Sequence, residues 1–536
     1  MNHSAVETAS VLPALVIFVP TATAVLIFAF GRFVSWLREA LAFVGVTCAL
    51  ILSVIIGYKT LHGEILTSFE TQLYADSLSA LLINMVSLVS FVAVVYSLKY
   101  MWHQVKEGGL PHTTTSGRLT AFYGWLMLFI STMIWACLSN NIIMLYVAVE
   151  ASTIASGLLV AFYWDKRALE AGYKYLMLLT VGITFSLFGC VLLYATGSNL
   201  PGVGGAKGLL ISELKLHASS FPITTIILAS AFLIIGFGTK AGVAPFHPWL
   251  PDAHAEAPTP VSALLSGVMI KVAMYALVRT VTIFYPTFSP VAMFALGLGV
   301  FTLVIGDLMA LAQDDLKRML AYSSVSQIGY ILMGFGIGTQ LGIYAGLFHM
   351  VNHAIAKALL FLAAGAVIYS TGVRNISQLG GLAKKMPITS FCFFIGALAV
   401  SGMPPLNGFH SKLALFVAGA DAGNWWAVGF GIAASLVTLV VLLKAAKNIF
   451  WGKESEAVAN TSVREAPLTV VISMLILAIL CLGVGLYPKA VYPPIKEAAS
   501  YVQTINTSNK KVAVAENPKV GKPNDRSSKK ILKIEF

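Results

Sequence analysis

Apolar runs of about 20 residues recur along this sequence from Val11 to Tyr487, and a helix of about that length is what it takes to cross the hydrocarbon layer of a bilayer. Splitting the chain at its charged, glycine and proline punctuation predicts about fourteen spans. They fall near residues 11–30, 40–58, 78–98, 121–138, 141–162, 173–195, 223–245, 261–281, 290–311, 319–337, 341–369, 388–418, 426–449 and 467–487. Every run is too long for a barrel strand, so the expected fold class is an all-α polytopic membrane protein. With 57% hydrophobic and only 11% charged residues, the chain is excluded from the ordinary water-soluble enzymes. Its first ten residues carry no Lys or Arg, so the first run reads as a membrane anchor rather than a signal peptide.

Two of the spans are interrupted. The seventh reads Gly236-Phe-Gly-Thr-Lys240-Ala-Gly-Val-Ala-Pro245 and continues to Pro251; the twelfth contains Ser401-Gly-Met-Pro-Pro405-Leu-Asn-Gly408. Proline within an apolar helix removes a backbone bond and clashes with the preceding turn. A simple packing kink is one reading. Broken helices at corresponding positions in two halves, each with a lysine close by, are the other, and they point to an inverted repeat with its sites near the midplane.

Most of the basic residues sort by loop. The formal charge is +12, from 35 Lys and Arg against 23 Asp and Glu. Loops after odd-numbered spans hold sixteen Lys or Arg, Arg32 to Arg464, whereas loops after even-numbered spans hold Lys59, Lys207, Lys215 and Arg279. The positive-inside rule then places both termini on the non-cytoplasmic side of a cell or inner membrane. Lys489, Lys496 and eight more cations lie beyond the last span. From Gln503 onward the tail is polar, basic and expected to be disordered. No basic stripe with interleaved aromatics precedes it, so nucleic acid is not an expected partner.

What remains is inside the apolar runs: Lys240, Lys271, Lys357, Lys412 and Lys444, with Glu150 in the fifth span and Asp307 near the end of the ninth. A charge at the centre of a lipid-facing helix costs at least about 2.5–3.5 kcal/mol, so these groups must face the bundle interior, water or one another. Burial disfavours the charged form of such a group and a nearby opposite charge restores it, which is what a proton relay needs. Lys444 lies close to its helix end and could instead snorkel. His349, His353 and Lys357 recur at i, i+4 and i+8, which stacks three protonatable groups on one helix face at roughly 6 Å per step. A shared metal is the competing reading for the histidines, but no third ligand stands nearby in sequence. The five cysteines, Cys48, Cys137, Cys190, Cys392 and Cys481, are dispersed through apolar runs without ligand spacing. Gly202-Val-Gly-Gly205 lacks the Lys-Ser/Thr of a phosphate loop. No metal, cofactor or covalent catalytic site is therefore expected in this chain.

The stretch from Gly238-Thr-Lys240 through Pro245-Phe-His-Pro-Trp-Leu-Pro-Asp-Ala-His254 to Ser262, followed by Lys271, Asp315-Leu-Lys-Arg-Met-Leu-Ala-Tyr-Ser-Ser-Val-Ser-Gln-Ile-Gly329 and His349 to Leu362, resembles the antiporter-like proton-channel subunits. These occur in respiratory complex I, membrane-bound nickel-iron hydrogenases of the formate hydrogenlyase type and multisubunit cation/proton antiporters. The resemblance covers roughly Gly124 to Phe416 and implies fourteen helices with an inverted repeat of helices 4–8 and 9–13, helices 7 and 12 being broken. It divides the chain into N-terminal helices (1–120), a proton-translocating core (121–450), a last helix with its flank (451–502) and the basic tail (503–536).

Carried onto these positions, the resemblance implies a relay in which Glu150 pairs with Lys240, Lys271 connects the halves, His349 and His353 are central and Lys412 lies on the broken twelfth helix. His254, Lys357 and Lys444 are secondary candidates. Too few residues follow Tyr487 for the long transverse helix of the distal complex I subunit, and Asp307 matches no family role. The implied function is a proton-translocating subunit of a redox-driven complex. Its iron-sulfur and flavin or nickel-iron centres would belong to partners, namely other membrane subunits and a peripheral redox arm. The alternative is a subunit of a Na⁺/H⁺ antiporter.

Overall fold

The structure is a computed structural model that describes residues 6–34, 36–107, 114–459 and 462–502. The disorder expected of the basic tail falls outside these residues. Within them, twelve helices are long and apolar enough to cross a membrane, from Leu12–Phe30 to Leu468–Leu486. Two expected spans complete the set. Leu316–Gly336 is helical over 21 residues but carries Ser323, Ser324, Ser326 and Gln327 in its middle. The twelfth is split into Pro387–Ser401 and Asn407–Asp421. The molecule is thus an all-α polytopic membrane protein, with spans ordered as the apolar runs are.

Burial sorts the spans into a centre and a periphery. The apolar stretch of the eighth span, Thr259–Phe284, is wholly buried and that of the eleventh, Gln340–Thr371, 89% buried; for the first, second and sixth the share is 39%, 33% and 39%. Peripheral helices present Val54, Ile55, Val181 and Phe188 outward, as a lipid-facing surface requires. The polar sequence groups ride on the central helices.

Close helix contact comes from glycine. Between the ninth span, Pro290–Leu311, and the tenth, a Cβ added at Gly306 would sit 2.3 Å from the Ser326 amide nitrogen, and one at Gly329 2.4 Å from that of Leu303. Gly299 and Gly336 repeat the contact one step along. Small residues at this spacing let two backbones touch, the dominant source of helix association where hydrophobic pressure is absent.

Both interruptions have one geometry. The first half of the seventh span, Ile223–Ala241, ends at Gly242 with φ 79°, and the first half of the twelfth ends at Gly402 with φ 80°. Glycine takes this left-handed conformation without steric cost. Three backbone bonds then match donor for donor: Gly242 to Thr239 and Gly402 to Ala399, Val243 to Gly238 and Met403 to Leu398, Phe246 to Val243 and Leu406 to Met403. Flanking helices match too. Asn141 caps the fifth span and bridges to Leu210, while Asp315 caps the tenth and bridges to Asn375. The span order makes these two bridges lie on opposite faces, as an inverted repeat demands.

The helical reading missed a small sheet. Val6–Ala9 pairs in parallel with Glu64–Ser68, which pairs antiparallel with Leu73–Ala75. It ties the N-terminal segment to the loop after the second span. At the other end, the backbone carbonyl of Tyr501 accepts from Lys215 Nζ at 3.4 Å, and that amine sits 4.4 Å from the Tyr501 ring. Both described ends therefore lie on the face of the even-numbered loops.

Candidate functional site: a buried file of amines and imidazoles

Lys240 occupies the last turn before the seventh-span break and is 1% exposed. Its Nζ donates to the Val149 carbonyl at 2.7 Å, Ser152 Oγ at 2.8 Å and Thr153 Oγ1 at 2.5 Å, all on the fifth span. An ammonium has three donors, and all three are satisfied by neutral oxygens. Glu150 is the carboxylate whose field reaches Lys240, but among the described residues no ion pair joins the two. Its Oε1 instead accepts from Thr180 at 3.1 Å, and its Oε2 is buried without a partner among the described residues. The expected pairing is thus an interaction across a gap, with Lys240 held by the residues on either side of Glu150.

Lys271 lies fully buried on the eighth span, directly after a π turn at Leu265–Met269. A π turn leaves carbonyls out of the regular helical ladder, and Lys271 Nζ donates to one of them, Ser266 O. Ser266 Oγ meets Ser324 Oγ of the tenth span at 2.8 Å. One position back, Ser323 accepts from Lys357, which also donates to Leu320 O at 2.9 Å. Lys357, a secondary candidate in sequence, is thereby placed beside the Lys271 site.

The eleventh span continues the file as its periodicity requires. The rings of His349 and His353 are parallel within 7°, with centroids 6.0 Å apart. His353 is 2% exposed, and neither ring nitrogen has a hydrogen-bond partner among the described residues. His349 is bonded to Ser411 through Nδ1 at 3.1 Å and to Gln327 Oε1 through Nε2 at 3.2 Å. Its ring also lies 5.6 Å from that of Tyr330, over which Lys412 Nζ sits at 4.4 Å. Lys412 donates to Ser435 Oγ at 3.1 Å and to the Ser401 carbonyl at the break, at 3.4 Å.

The secondary histidine, His254, stacks on Phe361 with centroids 4.9 Å apart, and both its nitrogens are buried without a partner among the described residues. Lys444 is exposed, on a shallow crevice between the ninth and thirteenth spans. It is not part of the file. Among the described residues no group of three or more His, Cys, Asp or Glu is placed to hold a metal.

Sequence reasoning found the charged members and missed their solvation: Ser152, Thr153, Ser266, Ser323, Ser324, Gln327, Tyr330, Ser401, Ser411 and Ser435. The available signal was hydroxyls and amides clustered in otherwise apolar helices, as in Ser323-Ser-Val-Ser-Gln327. In a bilayer such groups bond across helices or to the backbone.

The NADH:quinone oxidoreductase/Mrp antiporter transmembrane family matches residues 139–438, and the N-terminal family of complex I chain 5 matches residues 66–108. Over 423 residues the chain is 35% identical to NADH-quinone oxidoreductase subunit N of Desulforudis audaxviator, covering 77% of this chain and 80% of that one. A Na⁺/H⁺ antiporter subunit A1 from Staphylococcus haemolyticus is 33% identical over 477 residues, 84% of this chain but 57% of the longer relative. Among solved structures, the membrane-bound sulfane sulfur reductase, an archaeal respiratory membrane complex, contains a chain that superposes with a TM-score of 0.81 at 27% identity, over 93% of this chain and 99% of that one. This chain belongs to the NADH:quinone oxidoreductase/Mrp antiporter family of proton-translocating membrane subunits.

Proposed function

We propose that the chain carries protons along Glu150, Lys240, Lys271, Lys357, His353, His349 and Lys412, as a membrane subunit of a redox-driven complex in the cell membrane. The observation that carries this is the solvation of the lysines. Lys240, Lys357 and Lys412 are each held by carbonyl and hydroxyl oxygens, and Lys271 by a carbonyl oxygen. Such acceptors serve the ammonium but do not lock it, so a small change in a distant charge decides whether the proton stays. A shift of Glu150 relative to Lys240, imposed by a neighbouring subunit, would load or unload Lys240 and pass the change through the eighth-span lysine to the histidines.

The electron chemistry, on iron-sulfur and flavin or nickel-iron centres, is assigned to partners in a peripheral arm, and further membrane subunits flank the exposed apolar helices. The loop charges favour both termini on the non-cytoplasmic side. The kinship to subunit N of an NADH-quinone oxidoreductase supports the redox drive. The likeness to an Na⁺/H⁺ antiporter subunit over 84% of this chain supports a second reading, in which the same file exchanges H⁺ for Na⁺.

The test is proton uptake by inverted membrane vesicles holding the native complex, with electron transfer and assembly measured alongside. Lys240→Ala and Glu150→Gln are expected to lower proton uptake at least about tenfold while the complex still assembles. Unchanged uptake in both variants would falsify the relay. Co-purification of an iron-sulfur protein favours the redox drive, and Na⁺-dependent uptake without one favours exchange.

A further inference from the structure

Among the described residues, two buried carboxylates stand outside the relay: Asp76, which meets Arg279 directly, and Asp307. Asp307 lies on the ninth span, 2% exposed, next to Gly306 in the glycine seam. Its Oδ1 accepts from Thr438 Oγ1 of the thirteenth span at 2.9 Å. Among the described residues its Oδ2 is buried without a partner of bonding geometry, with the Ser326 hydroxyl beside it. A buried aspartate with a single hydroxyl bond to it is expensive, and a structural role needs no charge there.

Two neighbours give it a direction. Thr438 is one helical turn from Ser435, whose hydroxyl accepts from Lys412 at 3.1 Å. Asp307 is also the charge whose field acts most on Lys412. On its other side, Ala310 and Leu311, one turn along from Asp307, and Val441, one turn along from Thr438, wall a crevice of about 180 Å³. That crevice runs out to Gln313, Asp314, Ser377, Lys444 and Asn448, on the face of the odd-numbered loops. Lys444, which the file does not use, stands at its mouth.

We propose that Asp307 is a second carboxylate site, serving Lys412 as Glu150 serves Lys240, and that protons reach it from the odd-loop face through the crevice between the ninth and thirteenth spans. The inference rests on the relay proposed above for Lys412. It adds that the second half has its own carboxylate, contributed by the first helix of its repeat rather than the second. Asp307 would take a proton at Oδ2 from the crevice and pass it to the Lys412 amine when that amine is neutral, with Thr438 holding Oδ1 in place.

Two measurements on the native complex test this. In the first, N,N′-dicyclohexylcarbodiimide, which adds to protonated carboxyl groups in apolar surroundings, is applied to purified complex and labelled peptides are identified by mass spectrometry. On the proposed pairing, Lys412→Ala removes a cation that favours the charged form of Asp307, so labelling of Asp307 is expected to rise about tenfold while labelling of Glu150 stays constant. Equal labelling of Asp307 with and without the Lys412 amine overturns the pairing, whatever happens to transport.

In the second, proton uptake is compared among variants. Asp307→Asn keeps an acceptor for Thr438 but loses the charge and should lose at least about tenfold. Asp307→Glu should restore most of the rate, and Thr438→Val should cost less than about threefold. Wild-type uptake in Asp307→Asn, or an equal loss in Asp307→Asn and Thr438→Val, overturns the proposal. Lys240→Ala in the same series reports separately on the relay, so its failure and that of the Asp307 site are distinguishable.

Discussion

Two kinds of buried cation share this molecule. On the even-loop face, Arg279 of the eighth span meets Asp76 directly at 2.5 Å, donates to Ser79 Oγ at 2.8 Å and through Nε to the Tyr275 hydroxyl at 2.9 Å. Eight residues earlier on the same span, Lys271 meets only a carbonyl oxygen. The arginine cannot give up its proton and its partner touches it, so the pair is a fixed charge that pins the third span to the eighth. Among the described residues the lysine has no touching counter-ion, and in the proposed relay it releases its proton. Direct contact makes architecture; in the proposed relay, separation makes a carrier.

The largest effect that would sharpen this contrast is at the fixed pair. Arg279→Met leaves Asp76 buried and unpaired, and should cost about 3–5 kcal/mol of stability, seen as lost assembly and a lower Tm of the detergent-solubilised complex. Adding Asp76→Leu in the same chain should recover most of that loss. If transport fails in the double variant while assembly returns, Arg279 carries protons too and the contrast breaks.

A smaller change in free energy, but a larger one in function, is expected at Lys271. Lys271→Met should abolish proton uptake, at least about a hundredfold, with a Tm at or above wild type, because an amine with a desolvation penalty is replaced by an apolar chain of similar length. A large fall in Tm would place Lys271 among the structural cations.

Ser152→Ala with Thr153→Val strips two of the three acceptors from Lys240. The expected result is a fall of about three- to tenfold in proton uptake, with the optimum moved to lower pH, since weaker solvation of the ammonium makes the proton leave more readily. An unmoved pH profile would mean that the hydroxyls merely pack.

The smallest effect belongs to the rim. Arg374 bonds Glu256 at 3.2 Å and Asp315 at 2.8 Å in partly exposed surroundings beside a charged cavity of about 430 Å³. Arg374→Ala should cost about 1 kcal/mol, less in high salt. A salt-independent loss would promote it to the class of Arg279.

Much of this was legible in the sequence because the bilayer simplifies the code. Segment length fixes the helices, and any ionisable residue left inside them stands out against the cost of burying it. His349, His353 and Lys357 were placed on one face by spacing alone, and the structure stacks the two rings accordingly. Three things were not legible. The Val6–Ala9 strand is too short to show a period, and its pairing with Glu64–Ser68 is set by tertiary position. For Lys444 the sequence left open an interior role or snorkelling at its helix end, and its exposed place at the rim of a crevice decides between them. The gap between Glu150 and Lys240 depends on which oxygens the fifth span turns toward the break, which no spacing reports.

The glycine seam also divides moving parts from frame. With Gly306 and Gly329 holding backbone against backbone, the ninth and tenth spans cannot slide without a clash, and they act as one plate that carries Asp307 on one side of the seam and Ser323 and Gln327 on the other. On the proposed pairing, a change in how far Lys412 stands from Asp307 would therefore be left to the split twelfth span and to the thirteenth. On that reading the plate is a stator, and the distance between the two groups would be adjusted from one side only.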